Sequence, residues 1–154
     1  VVEMFKFAAE KFEIDPLKKS LEDDRAGAVV CFEGIVRNRN EGKAVVTLEY
    51  EAYETLGQTE AENILDEAHT RFGILDALCV HRVGELKVGE MAVFVAVTSA
   101  HRHEAYLASR YIIDEIKTRL PIWKKETYEG GSSDWVNCQH LSSASACEAS
   151  HGSK

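Results

Sequence analysis

The sequence predicts an α+β fold, with helices packed on a mainly antiparallel sheet. Three observations predict it. Residues 46–52 alternate apolar and polar with period two, as a half-buried strand does. Two segments, 61–72 and 105–116, carry apolar residues at helical spacing. Short apolar runs bounded by Gly and Pro lie between and around them.

Taken in order, Asp15-Pro16 reads as an N-cap followed by Pro at the first helical position, opening a short helix to about Asp23. Residues 27–36 form a nearly continuous apolar run, the pattern of a strand buried on both faces. A polar loop, Asn38 to Gly42, has turn chemistry. In the next strand Val46, Leu48, Tyr50 and Ala52 share one face, and Thr47, Glu49 and Glu51 the other. Ala61, Ile64, Leu65, Ala68 and Phe72 then mark one face of a helix that Gly73 stops. Residues 75–83 and 91–98 read as two strands joined through Gly84 and Gly89. A second long helix buries Ala105, Ala108, Ile112 and Ile116 and must end near Leu120, because Pro121 disfavours helical geometry in the residue before it. Residues 122–128 read as a strand. The chain of 154 residues is thus one domain over 1–138, followed by a Ser/Ala-rich segment, 139–154, with the composition of a disordered, solvated tail.

A net charge of −8 without a Lys/Arg block disfavours nucleic acid as a partner, while leaving room for a local basic pocket. No stretch reaches the ~18 apolar residues of a membrane span. The four cysteines are scattered, without a Cys-x-x-Cys pair, which argues against a zinc site and against a secreted disulfide framework. A soluble, reducing compartment, the cytoplasm, is therefore expected.

The residues that carry chemistry lie at element ends. His101, Arg102 and His103 follow a strand and open the second long helix, whose first N–H groups lack internal partners and attract anions. With Ser99 as a cap, they form either a small-anion site or merely a polar first turn. His101 and His103 make a poor metal pair, since residues two apart on a helix diverge and no third ligand is evident. Lys117, Lys124 and Lys125 flank the turn at Pro121. Lys117 complements the helix dipole, and Lys124 and Lys125, adjacent on a strand, point to opposite faces. Arg37 closes the first apolar run at a junction that presents side chains to a site or to solvent. These residues alone leave three readings open: an enzyme, a non-catalytic module binding a small anion or a partner, and a structural dimerisation domain.

Five segments in order narrow the choice. They are Phe32-Glu33-Gly34-Ile35-Val36-Arg37-Asn38, Leu48-Glu49-Tyr50-Glu51-Ala52-Tyr53, His81-Arg82-Val83-Gly84-Glu85, Thr98-Ser99-Ala100-His101-Arg102, and the stretch from Lys117 through Pro121 to Lys124-Lys125-Glu126. Together they resemble the large, catalytic subunit of molybdopterin synthase, from about Gly27 to Trp135. The resemblance implies an α/β-hammerhead type of fold and a homodimer. It also implies a small ubiquitin-like sulfur-carrier partner whose Gly-Gly tail ends in a thiocarboxylate, giving a heterotetramer. The implied reaction is sulfur transfer to cyclic pyranopterin monophosphate, forming the molybdopterin dithiolene without metal or organic cofactor. By position, Lys117 and Lys124 match the catalytic lysines, and Arg37, His101 and Arg102 match substrate contacts. Arg102 and Lys117 lie fifteen residues apart on one proposed helix, about 22 Å along its axis. A single small substrate then requires His101 and Arg102 from one chain and Lys117 and Lys124 from another. In one place the sequence departs from the family: after Trp135, where members can carry an arginine, stands Val136-Asn137-Cys138-Gln139.

Overall fold

The computed structural model describes residues 4–132 and 134–141. The elements in chain order are β1 (Phe5–Ala8), α1 (Ile14–Ser20), β2 (Ala28–Ile35), β3 (Arg39–Asn40), β4 (Lys43–Ala52), α2 (Glu54–Phe72) and β5 (Asp76–Arg82). They continue with β6 (Gly84–Lys87), β7 (Met91–Ser99), α3 (Arg102–Arg119), β8 (Ile122–Tyr128), β9 (Gly131–Ser132), β10 (Val136–Asn137) and a 3-10 turn (Cys138–Leu141).

The strands divide into two sheets. The first has the order β1-β5-β7-β2 and is antiparallel except where β1 joins β5 in parallel. The second runs β10-β8-β4-β3, with β6 added to β4 and β9 to β8. This is the expected α+β class, with the sheet split in two. The main core lies between the first sheet and α2 and α3. Ala105, Ala108 and Ile112 are fully buried and Ile116 is nearly so, against Ala61, Ile64, Leu65 and Ala68 of α2 and Val93, Val95 and Val97 of β7. Each large aliphatic side chain so buried contributes roughly 1.5–3 kcal/mol. On the opposite face a smaller cluster joins Leu78, Phe94 and Ala96 to Leu21, with Leu17 of α1 packed on it.

That double cover corrects one expectation. The strand buried on both faces is β7, with β5 beside it, whereas β2 alternates: Ala28, Val30 and Phe32 pack inward and Val29, Cys31, Glu33 and Ile35 face out. An apolar run does not distinguish an edge strand from a central one, and β2 is bonded on one side only, to β7, among the described residues.

Val46 departs from its predicted face for a local reason. Val45 pairs with Tyr128 and Thr47 with Thr127, so Val46 is the extra residue of a β-bulge and is 48% exposed. From Leu48 onward the predicted alternation holds. The helix ends follow the sequence signals: Gly73 caps α2 in the left-handed region at φ 65°, and Leu120 before Pro121 is extended at ψ 136°. The N-termini differ. Glu13 precedes α1 and His101 precedes α3, neither making a side-chain cap, and Ser99 belongs to β7 and is buried. Residues 139–141, assigned from composition to the tail, form the 3-10 turn with Cys138. There Gln139 Nε2 donates to the Arg119 carbonyl at the end of α3 (2.9 Å). The rest of that tail, 142–154, and Cys147 in it lie outside the described residues.

Candidate functional site

The turn at Pro121 folds β8 back beside the end of α3, and this brings Lys117 and Lys124 together. Both line two adjoining cavities, of about 100 and 340 Å³, which also share Tyr50 and His81. The smaller is closed by Ile116, Leu120, Ile122 and Cys138. The larger opens past Arg37 and Arg39 toward Asn40 and Glu126. Lys125, adjacent to Lys124, points away and sits over the Trp135 ring at 5.8 Å, as strand alternation requires.

Charge is concentrated here against the trend of the molecule. Arg37, Arg39, Lys117 and Lys124 line the larger cavity with one carboxylate, Glu126. That carboxylate is already committed. Lys124 Nζ lies 3.2 Å from Glu126 Oε1, and Asn40 Nδ2 lies 2.9 and 3.0 Å from its two oxygens. Asn40 is delivered by the β3–β4 hairpin, in which Glu41 (φ 52°) and Gly42 (φ 77°) form a two-residue loop with both φ positive. The carboxylate thus ties β3 to β8 while leaving the cleft rich in donors.

Tyr50 and His81 form the inner wall. Their rings meet edge to face at 5.0 Å and 89°, an arrangement aromatic quadrupoles favour. Burial pushes the Tyr50 hydroxyl well above its ordinary range, so it stays an O–H donor. His81 is buried, and its Nδ1 lies 2.7 Å from the Arg82 carbonyl oxygen. Burial chiefly, and the Lys117 charge in addition, push its pKa down to about 4.

Of the residues singled out in the sequence, Arg37, Lys117 and Lys124 therefore converge. His101 and Arg102 do not. They are exposed at the other end of α3 and line a separate open cavity of about 490 Å³ with His103, Tyr106 and Leu107. The helix runs unbroken between Arg102 and Lys117, so the axial separation of about 22 Å stands. Among the described residues no group of three His, Cys, Asp or Glu side chains is placed to hold a metal ion.

Sequence reasoning passed over His81, Glu126, Asn40 and Cys138 as site residues. His81 carried a usable signal, a polar ring inside an apolar run. Asn40 and Glu126 carried none, because their contact spans 86 residues.

The MoaE protein family model matches residues 7–119, a span that includes Arg37, His101, Arg102 and Lys117 and stops short of Lys124. A molybdopterin synthase catalytic subunit from Thermoplasma volcanium is 46% identical over 110 residues, covering 71% of this chain and 80% of the relative. One from Pyrococcus abyssi is 43% identical over 122 residues, covering 79% and 82%. In three dimensions the crystal structure of molybdopterin synthase from Staphylococcus aureus superposes with a TM-score of 0.83 at 36% identity, over 89% of this chain and 99% of that one.

Proposed function

The chain belongs to the MoaE protein family, whose relatives above are molybdopterin synthase catalytic subunits, and from that premise we propose that the Lys117–Lys124 cleft is its reaction centre. The protein acts in molybdenum cofactor biosynthesis as a sulfurtransferase. The observation that carries the proposed location is the convergence of four cations on one cavity in a chain of net charge −8.

The substrate is cyclic pyranopterin monophosphate and the sulfur donor is the thiocarboxylate tail of a small ubiquitin-like subunit. Both are anionic, and both suit this cleft. Arg37 holds the phosphate. Lys117, at the mouth, faces the acyl carbon of the tail and stabilises the negative charge that develops as sulfur is transferred. It also serves as general acid–base. Lys124, oriented by Glu126, supports it.

His101 and Arg102 complete the site from a second copy of the chain, because about 22 Å of helix separates them from Lys117. The outward face of β2, with Val29 and Ile35 about half exposed, offers apolar surface for that copy. The homodimer binding one small subunit at each end makes a heterotetramer. The cytoplasm is its place of action, which suits the free thiols of Cys31 and Cys79.

The test combines the protein, a thiocarboxylated ubiquitin-like partner and cyclic pyranopterin monophosphate, with dithiolene formation as readout and Lys117→Ala in parallel. Product from wild type and none from the folded variant is the expected result. Product from both removes Lys117 from its role. No product from wild type with competent reagents leaves the cleft as an anion-binding module.

A further inference from the structure

His81 is the cleft residue that neither the cations nor the ion pair account for. It sits on β5, 7% exposed, and its ring lines both cavities beside Tyr50 and Lys117. Nδ1 lies 2.7 Å from the Arg82 carbonyl oxygen. A carbonyl only accepts, so Nδ1 carries the proton and the lone pair resides on Nε2. Among the described residues Nε2 has no hydrogen-bond partner, and it is not one of the sealed, unpartnered atoms, which are Arg82 Nε and Glu104 Oε2. It therefore opens on the cleft.

The ring is held in that orientation. Tyr50 packs edge-on at 5.0 Å, the Phe7 ring lies 6.4 Å away, and a ring flip breaks the bond to Arg82. Around it the cations Arg37, Lys117 and Lys124 only donate. The Glu126 oxygens are engaged by Asn40 and Lys124. A ligand seated by its anionic group among those cations meets a fixed acceptor at the inner wall.

We propose that His81 Nε2 is a substrate-reading group, accepting a hydrogen bond from an N–H or O–H donor of the heterocycle whose phosphate the cations hold. This rests on the pterin phosphate reading above and adds to it the residue that recognises the ring. The depressed basicity of the imidazole fits an acceptor that stays neutral near pH 7 rather than a proton carrier.

The experiment uses the intact protein without its sulfur-donating partner and cyclic pyranopterin monophosphate as probe. The 15N resonance of His81 Nε2 is followed during titration, and affinity is measured for wild type, His81→Phe and His81→Gln. Expected are an unprotonated-type Nε2 signal that moves upfield on binding and about tenfold weaker binding by His81→Phe, the size of one lost hydrogen bond. His81→Gln, which restores an acceptor, recovers part of the loss. An Nε2 signal that does not move while wild type binds overturns the inference and leaves the location of the site intact. Equal affinity of a folded His81→Phe does the same. If that variant fails to fold, the wild-type resonance alone decides. Failure of wild type to bind the pterin overturns both readings.

Discussion

Lys124 Nζ and Glu126 Oε1 lie 3.2 Å apart on the same face of β8, two residues from each other, with the carboxylate almost fully buried. The strand therefore supplies a cation and its own orienting anion, and Asn40 of β3 donates to both oxygens of that anion.

Glu126→Gln keeps the shape and removes the charge. Lys124 loses its ionic partner and one of the two oxygens that receive Asn40 becomes a donor. A stability loss of about 1–2 kcal/mol is expected from urea unfolding. Turnover should fall roughly ten- to a hundredfold through misplacement of Lys124. Wild-type turnover in this variant would show that Lys124 needs no orienting anion.

Complementation tests the two-chain site. A mixed dimer of one Arg102→Ala chain and one Lys117→Ala chain has one intact site and one lacking both residues, if each site draws Arg102 from one copy and Lys117 from the other. About half of wild-type activity should survive in purified mixed dimers, by counting sites. Near-zero activity would refute the arrangement.

Gly57→Ala probes how α2 meets β1. A Cβ at this position falls 2.7 Å from Phe7 Cζ and 3.0 Å from Cε2. Ala is the better helix former by roughly 1 kcal/mol, but overpacking costs about 1–3 kcal/mol. Because Phe7 also contacts His81, the ring has little freedom to yield. A lowered melting temperature is the expected outcome, and a raised one would mean that Phe7 moves freely.

Acid should loosen the fold through His81. Its folded pKa of about 4 lies below the ordinary 6.5. Above pH 6.5 folded and unfolded chains both hold it neutral, and its full stability contribution is present. Between 6.5 and 4 the unfolded chain takes up a proton that the fold refuses. Stability then falls by ~1.4 kcal/mol per pH unit, or about 3 kcal/mol by pH 4. Glu67 adds its own loss only lower, from 4.5 toward 2, since hydrogen bonds from Arg119 and Tyr111 hold its carboxyl down. Urea midpoints from pH 7 to 4.5 should decline in wild type and stay flatter in His81→Phe; equal declines would place the effect elsewhere.

The chain order of elements was legible because its signals are local. Helical spacing marked both long helices, Pro121 and Gly73 marked their ends, and β8 could be read at residues 122–128 as it stands in the structure. The short strands β1, β3, β6, β9 and β10 were not, since two to four residues carry too little periodicity and exist only through pairing. Lys117, Lys124 and Arg37 were singled out through a resemblance that spans five segments, and their residue types alone did not separate a site from ordinary surface charge.

By itself, then, the sequence determined which of the longer segments are helices and strands, where Pro and Gly stop the helices, and which family motifs they carry. Backbone geometry and side-chain periodicity act over a few residues and are written in adjacent positions. Only the tertiary structure decided that β7 rather than β2 is covered on both faces, that Asn40 meets Glu126, and that His81 lines the same cleft as Lys117 and Lys124. Those facts depend on residues far apart in the chain being packed together, where burial and pairing, not local propensity, determine what each side chain does.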